Sequence, residues 1–165
     1  MFSLTHYQGV HQGGTKEYSL YLIENTSTGK SLLVKRWGKL GADGQIKIEQ
    51  TTGKADALNT ALKERMGKGY DMRSQGLKTF QTVKDALQVL PRSHQRSFFN
   101  NQLHHLDPDN FSLSERGSFD PMADERDKLR AQMEAQAAQE KEAQAKAAAE
   151  AERAELENNP LFGMF

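Results

Sequence analysis

Tryptophan occurs once in 165 residues. It stands in the run Lys35-Arg36-Trp37-Gly38-Lys39, just ahead of a glycine-rich stretch that ends at Gln45. An indole in the open between cations is a stacking plate for a sugar or a base, with positive charge placed for the adjoining phosphates. An indole that plugs the edge of a small core, with Arg36 and Lys39 as solvated neighbours, fits the same residues. Strand alternation sets Lys35, Trp37 and Lys39 on one face. Lys47, across the Asp43-Gly44 turn, is placed to join them.

Other arrangements that resemble chemistry fail on spacing. Thr28-Gly29-Lys30-Ser31 ends like a phosphate-binding loop, but Glu24 stands where that pattern needs glycine, and the segment opens a strand rather than a helix. Residues 107–118 begin like a calcium loop. Ser112 occupies the position of the sharp glycine turn, and Ser118 that of the bidentate glutamate. His104 and His105 are adjacent, so on a helix their side chains point about 100° apart and do not share a metal. The chain has no cysteine, hence no disulfide, thiol nucleophile or thiolate zinc site. No Ser/His/Asp set or carboxylate pair falls at catalytic spacing. The expectation is a binding protein without enzymatic activity, cofactor or metal.

The elements that must position Trp37 are legible in part. Tyr18 to Ile23 is a continuous apolar and aromatic run, as in a strand buried on both faces. Ser31 to Trp37 alternates, with Leu32, Val34 and Arg36 on one side and Leu33, Lys35 and Trp37 on the other. After the Asp43-Gly44 hairpin signal, Ile46 and Ile48 alternate with Lys47 and Glu49. A helix is expected from about Lys54 to Met66, with Ala55, Leu58, Leu62 and Met66 as its stripe and Gly67 and Gly69 at its end. Residues 79–106 carry two further stripes, Phe80, Val83, Leu87, Leu90 and then Phe98, Phe99, Leu103, Leu106. They are expected to form a helical hairpin, interrupted at Pro91. Residues 107–123 read as a linker. Residues 124–157 are rich in Ala, Glu, Gln, Lys and Arg, which favours a solvated helix supported by i,i+4 ion pairs. Without a leucine heptad, a coiled coil is not expected.

The net charge of zero is unevenly spread. Residues 1–70 hold ten Lys/Arg against six Asp/Glu, and residues 121–157 hold six against ten. A mildly basic N-terminal part thus precedes an acidic tail, which is compatible with a phosphate-bearing partner. The start lacks the basic and apolar regions of a signal peptide, and no apolar run reaches the length of a membrane span. A soluble cytoplasmic protein, bacterial or phage-encoded, is expected.

Together, "YSLYLI", "LLVKRWGKLGADGQ" and "ALKERMGKGY" resemble a WGR domain. This family is named for its Trp-Gly-Arg and occurs beside the catalytic domain of DNA-break-sensing poly(ADP-ribose) polymerases and in bacterial proteins. The likeness covers roughly residues 2–70. It implies that Trp37 stacks on the sugar at an exposed DNA end, with Arg36, Lys39 and Lys35 along the backbone. Gly38 would then allow the tight turn beside the ligand. Lys68 and Tyr70 match family positions, and packing accounts for Tyr70. The third signature residue is Lys39 rather than arginine. Charge is kept, but the planar fork that can bind in two places at once is lost. The chain beyond residue 70 is too short for a polymerase catalytic domain.

The last residues, "NNPLFGMF", place large apolar side chains after a polar spacer. They loosely resemble a sliding-clamp-binding peptide and the tail of single-strand-binding proteins. Leu161, Phe162 and Phe165 are therefore candidate contacts for a protein partner, against the plainer reading of a sticky chain end or a homo-oligomer contact, since short motifs arise by chance.

The expectation is an α+β chain: a small antiparallel sheet with one packed helix (1–70), a helical hairpin (71–106), a linker (107–123), a long Ala/Glu-rich helix (124–157) and an apolar peptide (158–165). Its expected role is that of a DNA-binding adaptor reading ends or nicks. The alternative is a protein-interaction or assembly factor, for instance phage-encoded, that uses the same surface and tail.

Overall fold

The computed structural model describes residues 1–52, 54–113 and 117–157. The expected apolar peptide at 158–165, with Leu161, Phe162 and Phe165, lies outside the described residues. The described chain is α+β and divides into two units, Met1–Pro121 and a second beginning at Met122.

The first unit is built on an antiparallel sheet of β1 (Phe2–His11), β2 (Lys16–Asn25), β3 (Ser31–Lys39), β4 (Gln45–Thr51) and β5 (Tyr70–Phe80), in the order β4-β3-β2-β1-β5. The three middle strands of the chain follow the pattern expected of them. β2 is buried almost throughout because it has a neighbour on each edge and a helical layer on each face. β1 and β5 are additions to the expected sheet. β1 alternates apolar with polar residues, and β5, "YDMRSQGLKTF", is an edge strand whose side chains are mostly exposed. β5 is held by its ladder hydrogen bonds more than by apolar burial, so it carries little hydrophobic signal, whereas β1 sets Phe2 and Leu4 into the core.

Helix α1 (Lys54–Gly67) carries the chain from the β4 edge to the β5 edge. Its 14 residues measure about 21 Å, which matches the ~19 Å across four strand spacings. It buries Leu58 and Ala61 against Tyr18, Leu20, Leu22 and Leu33. Leu62 is partly buried, Met66 is exposed, and the side chain of Ala55 lies outside the described residues. The helix stops at Gly67, and the turn into β5 passes through Gly69, whose φ of +83° suits glycine.

The opposite face carries the main core. Phe2, Leu4, Tyr21, Ile23, Leu32 and Val34 pack against Val83, Ala86, Leu87, Leu90, Phe98, Leu103 and Leu106. The expected two-helix hairpin is instead three short helices, α2 (Val83–Leu87), α3 (Arg92–Gln95) and α4 (Asn100–Leu106). Pro91 opens α3, and each helix is too short to persist without the sheet beneath it. Nor is the following segment a free linker: Phe111 and Phe119 pack on this core, and Asp107 is buried. The described part of the second unit is built on α5 (Ala123–Glu157), 35 residues long.

Candidate nucleic-acid interface

Trp37 lies near the end of β3, directly opposite Tyr18 on β2. The two rings are stacked, with centroids 6.1 Å apart and planes 14° from parallel. Trp37 is half-buried. It packs against the smaller core under α1 and also lines two open clefts, so one ring is both a core contact and a cleft wall. The aromatic row continues edge-on from Tyr18 to Tyr70 at 5.7 Å, and from Tyr70 to His11 at 5.1 Å. Gly9 on β1 lies between Tyr18 and Met72, where β1 and β5 approach closely. A Cβ there would lie 2.7 Å from the Met72 sulfur and from the Asp71 carbonyl oxygen. The Arg65 guanidinium sits 4.2 Å above the Tyr18 ring. Burial pushes the Tyr18 hydroxyl pKa up, against the pull of Arg65.

The cations around Trp37 fall into two cross-strand pairs. Lys16 faces Lys39, and Lys35 faces Lys47. Lys16 and Lys39 are exposed and line a cleft of about 540 Å³ with Trp37, Gly38, Gly44 and Tyr70. Among the described residues neither has an acidic partner. Lys35 and Lys47 line a second cleft of about 310 Å³ with Trp37, Tyr18, Arg65 and Tyr70. Both are bound to Glu49, at 2.7 and 3.0 Å. Partial burial pushes the Glu49 carboxyl up, but the two lysines more than offset this and hold it below its usual range.

Arg36 is not brought to this surface. It faces the other side of the sheet, where its guanidinium meets Glu17 at 2.6 Å and donates to the carbonyls of Ala42 and Asp43 at 2.5 and 2.8 Å. Its place is structural, behind the β3–β4 turn. That turn is braced from the same side by α3. Ser93 Oγ donates to Asp43 at 2.6 Å, and buried His94 meets the Gly44 carbonyl at 3.2 Å through Nε2. Gly38 and Gly44 cross closely; a Cβ on Gly38 would stand 2.7 Å from the Gly44 Cα. Leu40 N–H donates to the Thr15 carbonyl at 3.0 Å, which ties this turn to the β1–β2 turn beside Lys16.

Trp37, Lys35, Lys39 and Lys47 thus share a face, with Gly38 at its rim. Lys16, Tyr18, Arg65 and Tyr70 complete the surface, and sequence spacing alone did not single out the first three. Lys16 and Tyr18 are two residues apart, as are Trp37 and Lys39, and only the hairpin register brings the two pairs together. Lys68 is turned to Glu64 at 2.7 Å. His104 and His105 contact different carbonyls, those of Phe111 and Thr51. Among the described residues no three potential metal ligands converge, and no helix is long and apolar enough to cross a membrane.

Among known families, the WGR domain model matches residues 4–77. No curated protein and no solved structure matches the chain. The matched stretch runs from β1 into β5 and includes every residue of the two clefts. The matched family is a nucleic-acid-binding module family.

Proposed function

With residues 4–77 a WGR domain, we propose that the chain is a non-enzymatic DNA-binding adaptor that engages strand ends or nicks at the Trp37 cleft. The observation that carries this reading is the Lys16–Lys39 pair. Like charges directly opposite in a sheet are unfavourable, and here they stand unneutralised beside a half-buried indole in an open cleft. A phosphate between them removes the repulsion while Trp37 stacks on the adjoining sugar or base. Lys39 acts as a point charge where the family signature has arginine.

Binding of nicked, blunt and single-stranded DNA to the wild type, Trp37→Ala and Lys16→Gln is the test. Loss of stacking should cost roughly 1–3 kcal/mol, and affinity should fall steeply between 50 and 200 mM salt. Lys16→Gln has a double signature. It weakens DNA binding while slightly raising the melting temperature of the free protein at low salt, because a repulsion is relieved. Wild-type affinity in both variants would remove the reading and favour a protein-docking surface.

The adaptor role adds a protein partner taken by the C-terminal peptide, through Leu161, Phe162 and Phe165. Its support is the sequence pattern.

A further inference from the structure

Trp37 stands midway between its two lysine pairs. Lys35 and Lys39 lie four residues apart on β3, which is about 13 Å along the strand. The pairs differ in one respect. Among the described residues the Lys16–Lys39 pair has no acid between its members, whereas Glu49 bridges the other. Glu49 Oε2 meets Lys35 Nζ at 2.7 Å, and Oε1 meets Lys47 Nζ at 3.0 Å. One carboxylate gripped through each oxygen by a different ammonium group presents the charge and spacing of two non-bridging phosphate oxygens. The surroundings suit a phosphate too, since Arg65, Tyr70 and Trp37 line the same cleft. Its other acid, Glu64, is turned to Lys68 and Arg65.

We propose that Lys35 and Lys47 form a second phosphate seat on the nucleic-acid path, and that Glu49 occupies it in place of the phosphate. Glu49 is thereby a specificity residue. It confines the resting domain to one open seat, at Lys16 and Lys39. A single seat beside a stacking plate favours the terminus of a strand over its continuous backbone. The Lys35–Glu49 contact is shielded, with the two side chains 19% and 34% exposed, whereas Lys47 is 64% exposed. An incoming phosphate therefore reaches Lys47 first and must displace the carboxylate to reach Lys35. This inference rests on the nucleic-acid reading of the Trp37 cleft.

The experiment is a salt titration of nicked-duplex binding by the full chain, wild type against Glu49→Gln. Asp109→Asn, an exposed acid in the same unit, controls for the change in net charge. Opening a seat adds about one phosphate contact. The slope of log K against log salt then steepens by about 0.9, and Glu49→Gln loses ~3-fold more affinity than wild type between 50 and 200 mM. Asp109→Asn leaves the slope unaltered. Lys47→Gln added to Glu49→Gln abolishes the gain. Glu49→Thr, which suits a strand, repeats the test without relying on one variant's folding. An unchanged slope in both Glu49 variants, with Lys16→Gln still weakening binding, overturns the closed seat and leaves the nucleic-acid reading standing. If Trp37→Ala and Lys16→Gln also bind as wild type, the reading falls first and the seat with it.

Discussion

His6 shows how one side chain can set a property of the whole fold. It stacks on Tyr21 with centroids 4.2 Å apart, and its buried Nε2 has no hydrogen-bond partner. Burial, with Lys78 and Arg36 nearby, lowers its pKa from 6.5 to about 4. The unfolded chain therefore takes up this proton before the folded one does. Stability is full above pH 6.5 and drains as the pH falls towards 4. Urea unfolding from pH 7 to 4.5 should record that loss. His6→Phe keeps the stacking and removes the titration, so its stability should be flatter over the same range. A variant that loses stability as steeply as wild type would assign the effect to other groups.

At the scale of elements, the proposed interface is braced by parts of the chain beyond the matched 4–77. Helix α3 holds the β3–β4 turn through Ser93 and His94. A carbonyl only accepts, so Nε2 of His94 is the donor to Gly44. His94→Leu removes that donor at a buried site and should weaken DNA binding by about 1 kcal/mol, roughly fivefold. The salt slope should stay at the wild-type value, because no phosphate contact is lost. His94→Gln, which can present an amide N–H near the same point, should recover most of the affinity. A changed slope would mean that His94 touches the ligand rather than the turn.

This dependence also marks how far the sequence could be read. β2, β3 and β4 were legible because burial of one or both faces imposes runs and alternation on Tyr18–Ile23, Leu32–Trp37 and Ile46–Ile48. β5 was not, because an edge strand such as "YDMRSQGLKTF" is specified by its neighbour and not by its own apolar residues. Of the stripe Phe80, Val83, Leu87, Leu90, the last three are core, whereas Phe80 closes strand β5 and is only partly buried. Its helices were overestimated in length because the periodicity persists across turns, where Pro91 and the sheet surface set the breaks. In the site, Trp37 and its flanking lysines were visible as a run. Lys16 needed the register, and the diversion of Arg36 needed the position of Glu17 on the far face.

The two units of the molecule owe their structure to different forces. The first hides its apolar residues on both faces of one sheet. In α5 every described side chain from Asp124 to Glu155 is exposed. It is helical through alanine-rich propensity and length, at about 52 Å. A peptide of residues 123–157 should therefore be largely helical in the cold and melt gradually, independently of its concentration. A sharp, concentration-dependent melt would instead mean that the helix associates with itself. The charge of the whole chain sums to zero because this acidic rod offsets a basic sheet, so behaviour in an electric field or on an ion-exchange resin averages over unlike parts.

The placement of the single indole makes the molecule its own indicator. Light absorbed by tryptophan alone excites only Trp37, which lines both clefts beside the buried Tyr18 ring. Anything that enters beside it must alter the colour or intensity of its emission, so occupancy can be followed without attaching a dye.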